Sequence, residues 1–122
     1  MTEERGLQNL VNLVYGLDKS IRYAAFISAQ GEIVAGGIRG GLKSLDSDEN
    51  EKVRLRQLVV SGIARRYWEE TYGKHAYTLM RFQNLILGQF PFRAMAMIVS
   101  VDPTPSSARI FDQIDEVLTK NR

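Results

Sequence analysis

The spacing of apolar residues changes from one segment of this chain to the next, and the order of the segments limits the folds open to it. The segments read helix, strand, strand, helix, strand, strand, strand, helix. At 122 residues the chain has the length of one domain, which can bury roughly two thirds of its unfolded surface. We therefore predict one domain over residues 1–122 with an α/β (α+β) fold, in which helices pack on a single five-stranded, mainly antiparallel sheet.

The first helix and the hairpin after it have clear signals. Apolar residues recur at helical spacing over about residues 3–17, namely Leu7, Leu10, Val11, Val14 and Leu17. Tyr23–Ile27 is typical of a buried strand, and Ile33–Ala35 of a second, shorter strand. The turn between them contains Gly31, placed where the backbone needs a positive φ.

A longer helix is predicted after a glycine-rich and then polar loop that begins at Gly36. Asp46, Ser47 or Asp48 can each cap this helix, and it is expected to end near Thr71. A helix that covers one face of a sheet needs an apolar stripe of about 100°. The apolar arc of this helix is wider: Val53, Leu55, Leu58, Val59, Val60, Ile63, Ala64, Tyr67 and Trp68. The surplus favours a second surface against the helix, and burial under loops is the alternative.

Three strands and a final helix complete the chain. His75–Phe82 and Leu85–Phe90 alternate, with a two-residue hairpin loop at Gln83-Asn84. After a turn at Pro91-Phe92, the apolar run of residues 94–99 is typical of a central strand covered on both faces. The last helix is predicted to begin at Pro105, with Thr104 as its cap.

Composition excludes several classes of function. The chain has no cysteine, which excludes disulfides, thiol catalysis and cysteine-held metal clusters. The acids at positions 46–51 lack the spacing of a calcium loop and suit the start of a helix instead. We therefore expect neither a metal nor a cofactor.

Charge and hydropathy indicate where such a chain works. Sixteen basic and fourteen acidic residues are interspersed, so the net charge of +2 does not predict the clustered basic face that nucleic acids require. Residues 1–5 are charged, without the apolar core of a signal peptide, and the longest apolar run is too short to span a membrane. We expect a cytoplasmic protein with no membrane span.

Two features of the sequence are candidates for sites of chemistry. The segment Gly36–Gly41 resembles a phosphate loop, but no Gly-Lys-Ser/Thr leads from it directly into a helix. A flexible connection is the favoured interpretation, and an anion contact through Arg39 and Lys43 is the alternative. His75 is the only histidine and is expected at the surface. The sequence therefore predicts no catalytic residue and no enzyme.

With the segments in place, the chain resembles the roadblock/dynein light-chain family, and more broadly the longin- and profilin-like folds. The resemblance spans the first helix to Leu118 and rests on the segment order and on the hairpin of residues 24–34. A weaker similarity, in this hairpin and in Pro103–Leu118, links the chain to small archaeal proteins of unknown function. The resemblance implies a non-enzymatic interaction or regulatory module.

The resemblance also implies partners. It implies a homodimer or heterodimer joined through the long helix and the edge of the second strand, and a platform for a small GTPase or a signalling complex. Carried over by position, the interface residues are Ile33, Val34, Ala35, Leu55, Leu58, Val59, Ile63 and Tyr67.

A second hypothesis is a sensory domain of the PAS or profilin type that binds a small ligand between its sheet and helices. Tyr77, Met80, Met95 and Phe111 are its candidate lining, and Arg39 its candidate gate. A retained small molecule in the purified protein would distinguish this sensor from an interaction module.

Overall fold

A computed structural model of the protein describes residues 2–39 and 66–122. Its elements follow the predicted order α-β-β-α-β-β-β-α. We number them in chain order: α1 (Thr2–Tyr15), β1 (Ile21–Ile27), β2 (Ile33–Ile38), α2 (Arg66–Tyr72), β3 (Thr78–Arg81), β4 (Ile86–Phe92), β5 (Met95–Val101) and α3 (Ser107–Lys120).

The strands form one five-stranded sheet in the order β2-β1-β5-β4-β3. Every neighbouring pair is antiparallel. The apolar strand β5 lies at the centre, as its near-continuous hydrophobic run predicts. The α+β fold with one antiparallel sheet is therefore confirmed, and β2 and β3 are the two edges of the sheet.

One face of the sheet carries the main core, under α1 and α3. Phe26 and Phe92 contact each other with ring centroids 5.1 Å apart, and Phe90 stacks on Phe111 of α3 at 6.2 Å. All four rings are fully buried. We call this side the α1/α3 face. Gly88 is part of it for a steric reason, since a Cβ there would lie 2.7 Å from the Phe111 ring.

The opposite face of the sheet, which we call the second face, is also apolar. Ala25, Ile27 and Ile98 are buried there. Tyr23, Met80, Leu87 and Ala96 pack around them and are partly buried. Side chains alternate between faces along a strand, so strands with apolar residues on both sides read as continuous hydrophobic runs.

The predicted boundary of β2 was wrong. We expected a loop from Gly36, but the strand continues to Ile38. Gly36 and Gly37 have φ values of +89° and +148°. Glycine adopts these backbone angles without strain, so its presence here permits an unusual strand instead of ending it.

The predicted turn at Pro91-Phe92 was also wrong, because β4 runs through both residues and the turn follows at residues 93–94. A proline is tolerated in a strand where its missing N–H has no ladder partner. Pro91 lies beyond the last β3–β4 pair, Thr78 with Gln89, on the side of β4 that faces β3. Its missing N–H therefore costs no hydrogen bond to β3.

The last helix begins two residues later than predicted. Ser106 is its N-cap and makes no side-chain capping bond. The Ser107 hydroxyl donates to the Thr104 carbonyl and accepts from the Thr104 N–H, both at 2.9 Å. These bonds hold residues 104–107 in a turn, which places Thr104 and Pro105 before the helix and not at its cap.

Candidate interaction site

Most of the predicted interface on the long helix lies outside the described residues. This holds for Leu55, Leu58, Val59 and Ile63, and also for Lys43 of the proposed anion contact. Tyr67 lies in α2, where only its backbone is described. The assignment of these residues to an interface stays a prediction.

The three predicted interface residues of β2 point in different directions. Ile33 is 48% exposed. Val34 and Ala35 are partly buried and pack against the core of the α1/α3 face. The β1–β2 register shifts at Phe26/Ile27, because Phe26 pairs with Ala35 and Ile27 with Ile33. The shift is a β-bulge, which lets successive residues of β2 share one face.

The outer edge of β2 is bonded to α1 by a side chain. The Gly36 N–H donates to Gln8 Oε1 at 3.2 Å, and Gln8 Nε2 donates to Asn12 Oδ1 at 3.1 Å. At Gly36 the strand also lies close to its neighbour, since a Cβ there would be 2.2 Å from the Ala24 carbonyl oxygen. This edge is therefore bent and partly covered.

A second side chain of α1 enters the ladder between β1 and β2. The Tyr15 hydroxyl donates to the Gly37 carbonyl and accepts from the Ala24 N–H at 3.1 Å. Ala24 and Gly37 are opposite each other in the register, so the hydroxyl bridges the two strands. Burial raises the pKa of Tyr15 above its ordinary value, although the Ala24 bond and the Arg39 charge both act to lower it.

Arg39 lies at the end of α1. Its guanidinium donates to the Tyr15 carbonyl and, at 2.8 Å, to the Lys19 carbonyl. It also lies over the Tyr15 ring, 5.2 Å from the centroid. A cation that bonds the last carbonyls of a helix compensates its dipole. Arg39 thus has a structural role, and its anion contact with Lys43 stays a prediction.

The β3 edge of the sheet differs from the β2 edge, because the pairing of β3 with β4 has no bulge or shift in register. The Phe82 N–H donates to the Leu85 carbonyl at 2.8 Å, which makes these two residues a hydrogen-bonded pair. Bonding alternates along an antiparallel ladder, so Met80 and Thr78 also bond β4. The N–H and C=O groups of Leu79 and Arg81 therefore face away from the sheet.

Apolar side chains accompany this edge. Leu79 is 41% exposed on the α1/α3 face, and Phe82, which follows the strand, is 51% exposed. On α2, the helix before β3, Trp68 and Tyr72 are 70% and 80% exposed, with ring centroids 6.5 Å apart. The sequence alone predicts no role for Leu79, Tyr72 or Phe82. The alternation of residues in β3 and the i,i+4 spacing of Trp68 and Tyr72 can be seen in the sequence. The sequence does not show which of these apolar side chains the folded chain leaves exposed.

His75 joins α2 to β3. Its backbone N–H donates to Glu69 Oε2 at 2.9 Å, and its Nε2 lies 2.5 Å from Thr78 Oγ1. These contacts place the imidazole in the connection between the two elements and tie both to it. No group of three or more histidine, aspartate or glutamate residues in the described ranges has the geometry of a metal site.

The four residues of the predicted ligand pocket are divided between the two faces of the sheet. Phe111 is fully buried on the α1/α3 face, where Tyr77 and Met95 pack at the margin. Met80 belongs to the second face. The Tyr77 hydroxyl donates to the Asp112 carboxylate, which raises the pKa of Tyr77 to about 12. The sheet itself therefore separates Met80 from the other three.

The helices within residues 2–39 and 66–122 do not have membrane-spanning character. None of them is both long enough and apolar enough to cross a bilayer.

The sequence matches no family model and no curated protein. Solved structures are similar in fold. The gliding protein MglB from Thermus thermophilus has a TM-score of 0.67 at 10% identity, covering 92% of this chain and 84% of its own. A Roadblock/LC7 domain from Streptomyces avermitilis also has a TM-score of 0.67 at 10% identity, covering 93% and 92%. Schizosaccharomyces pombe profilin has a TM-score of 0.57 at 15% identity, covering 94% and 98%.

These likenesses extend over nearly the whole chain and agree with its element order and sheet topology. At such low identity they establish the fold and no more. The chain has the fold of MglB and the Roadblock/LC7 domains, which is related to that of profilin.

Proposed function

We propose that this protein is a non-enzymatic interaction and regulatory module that forms a homodimer. The observation that carries the proposal is the β3 edge, where Leu79 and Arg81 direct their backbone groups away from the sheet. An unpaired strand edge is a template for another strand. A second copy that pairs with β3 continues the sheet across two subunits.

The β3 edge supports this pairing better than the β2 edge that we predicted from the resemblance. At β2, the backbone is bent at Gly36 and its N–H is bonded to Gln8. At β3, no residue in ranges 2–39 and 66–122 bonds the outward groups of Leu79 and Arg81. A regular edge preserves the geometry that interstrand hydrogen bonds require.

Charge selects a register for two antiparallel β3 strands. Placing Arg81 opposite Arg81 sets like charges face to face, which destabilises a pair. Placing Leu79 opposite Leu79 moves Arg81 beyond the end of the partner strand. Placing Leu79 opposite Arg81 uses the outward groups of both residues in both copies. Met80 then lies on the two-fold axis, opposite Met80 of the second copy.

The exposed apolar residues near β3 support a surface of the same kind. Interfaces are enriched in aromatic residues and arginine at their cores. Trp68 and Tyr72 of α2 and Phe82 after β3 leave most of their ring surface exposed in the single chain. We propose that α2 extends the interface, together with the residues predicted from the sequence, Leu55, Leu58, Val59, Ile63 and Tyr67.

The dimer is tested by measuring the mass of the wild-type protein in solution. Light scattering after gel filtration is expected to give about twice the chain mass of 13.8 kDa at micromolar concentration. A monomer over the whole micromolar range would refute the homodimer.

The position of the interface is tested by disulfide cross-linking. Because the chain has no cysteine, each variant carries a single thiol. Non-hydrogen-bonded partners have Cα atoms about 4.5 Å apart, within disulfide range, so Met80→Cys is expected to form a covalent dimer on mild oxidation. Leu79→Cys is the matched control. In this register the Cα atoms of the two Leu79 residues are diagonal to each other and about 8–9 Å apart, which is beyond disulfide range.

The same experiment distinguishes the two edges. Ile33→Cys and Ile38→Cys place the thiol on β2. If either variant cross-links while Met80→Cys does not, the seam lies on β2 as first predicted and the β3 assignment is wrong.

The partner that this dimer would regulate is also a proposal. From the resemblance, we propose a small GTPase or a signalling complex that contains one. Immobilised protein is expected to retain a GTPase from native lysate in a manner that depends on added GTP or GDP. Retention of no nucleotide-dependent partner in either condition would count against a GTPase platform.

A further inference from the structure

We propose that Gln8 guards the β2 edge, so that a second copy of this chain does not pair with the sheet there. The guard acts on the side of the sheet opposite to the proposed dimer edge, and it would limit assembly to one edge. The inference goes beyond the proposed function, because it concerns what stops the sheet from growing.

The composition of β2 lacks the usual features that block an edge strand. The strand Ile33–Ile38 has the sequence IVAGGI, without a charge or a proline. Its two end residues, Ile33 and Ile38, are 48% and 40% exposed. Natural edge strands are commonly blocked by charged side chains or proline, and β2 has neither. An uncharged strand meets a copy of itself without repulsion, so the occupant that fits this edge is a second β2.

The position of Gln8 meets this need directly. The Arg39 N–H donates to the Arg22 carbonyl at 2.7 Å, so Arg39 faces β1. Successive residues of a strand face its neighbour alternately, and Gly36 is three positions from Arg39, so the backbone groups of Gly36 face outward. This outward Gly36 N–H donates a hydrogen bond to Gln8 Oε1 at 3.2 Å. The bond from Gln8 Nε2 to Asn12 holds the amide in this orientation. A side chain of α1 thus takes the place that a carbonyl of another strand would fill.

The shape of β2 explains how one hydrogen bond can have an effect. The left-handed backbone at Gly36 and the bulge near Ile33 bend the edge. A bent edge pairs weakly even when it is free. Gly36 lies near the centre of β2. When pairing is weak, the loss of one central N–H donor to the Gln8 side chain is enough to oppose it.

The first test measures hydrogen exchange at the Gly36 amide. In dilute protein, where no second copy pairs with β2, Gln8→Met keeps the length of the side chain but removes the acceptor, and it is expected to raise the exchange rate roughly two- to tenfold. Gln8→Glu keeps an acceptor oxygen and is expected to retain protection. Asn9→Ala changes an exposed residue of the same helix and is the control. Equal exchange in the wild type and Gln8→Met would overturn the guard.

The second test measures mass at high protein concentration. Gln8→Met is expected to form assemblies larger than the wild type under the same conditions, while Gln8→Glu keeps the wild-type mass. An unchanged mass in Gln8→Met up to millimolar concentration would overturn the proposal. The mass of each variant is compared with that of the wild type, whether the wild type is a monomer or a dimer. A monomeric wild type would therefore count against the proposed dimer alone, and the guard would be judged by the change on substitution.

Discussion

At the residue scale, Gly36 decides the course of β2. Its φ of +89° lies in the left-handed region, and a Cβ would be 2.2 Å from the Ala24 carbonyl oxygen. We expect Gly36→Ala to lower the free energy of unfolding by about 1–3 kcal/mol or more, since strain and a backbone clash combine. Urea denaturation measures the change.

Gly6 supplies the matched control for this substitution. It lies within α1, and a Cβ added there would have no atom within 4 Å apart from the adjoining backbone of its own helix. Gly6→Ala is expected to raise stability by about 0.5–1 kcal/mol, because alanine restricts the unfolded chain and suits a helix. Equal effects of the two substitutions would contradict the role assigned to Gly36.

A second residue-scale prediction concerns pH. The bond from Tyr77 to Asp112 favours the protonated phenol, so the pKa is raised from 10.0 to about 12. A raised pKa contributes stability that is fully present below about pH 10 and is lost as the pH rises through 12. We expect the stability difference between the wild type and Tyr77→Phe to be constant from about pH 6 to pH 10, where aspartates are ionised, and to close above pH 10. A gap that does not change in urea titrations across this range would contradict the interaction.

At the scale of elements, β3 permits a test that separates folding from pairing. Leu79 directs its N–H outward, whereas Met80 bonds β4. Proline lacks the N–H and is tolerated only where no ladder bond is lost. We expect Leu79→Pro to keep the circular dichroism of the wild type and to halve the mass of the dimer.

Met80→Pro is the control for that prediction, one residue along the same strand. It removes a hydrogen bond to β4, and it is therefore expected to lower the free energy of unfolding by about 1–3 kcal/mol, in contrast to Leu79→Pro. A folded Leu79→Pro variant that stays dimeric would show that β3 is not the pairing edge.

At the scale of the whole molecule, association and stability are linked. Anything that binds only the folded chain stabilises it by mass action, including a second copy. We expect the thermal midpoint of the wild type to rise with protein concentration, and that of Leu79→Pro to stay constant. Calorimetry over a hundredfold range of concentration measures both. A wild-type midpoint independent of concentration would contradict a dimer that forms on folding.

The interior of the sheet was predictable because its signals are local. The run of residues 94–99 requires cover on both faces, and β5 occupies the centre of the sheet. The Gln83-Asn84 loop also lies where it was predicted, closed by the bond from Phe82 to Leu85. The misplaced boundaries involve Gly36, Pro91 and Pro105, and glycine and proline usually mark the start or the end of an element. Each is accommodated here by its neighbours, and a sequence alone does not name those neighbours.

The candidate site was less predictable for the same physical reason. Leu79 and Phe82 are apolar, and nothing local distinguishes them from the core residues Ile86 and Phe90. Their exposure follows from the position of β3 at the end of the sheet. The bonds of Gln8 and Tyr15 to β2 cross 28 and 22 residues of chain, a separation that no periodicity reports.

The sequence by itself determined the order of the elements, the antiparallel hairpins and the apolar character of both faces of the sheet. Periods of 3.6 and 2 residues follow from backbone geometry and are written along the chain. Only the tertiary structure decided which strands became edges, which edge α1 covers through Gln8, and which apolar side chains stay exposed. Those outcomes depend on contacts between residues far apart in sequence, and solvent exposure is a property of the assembled fold.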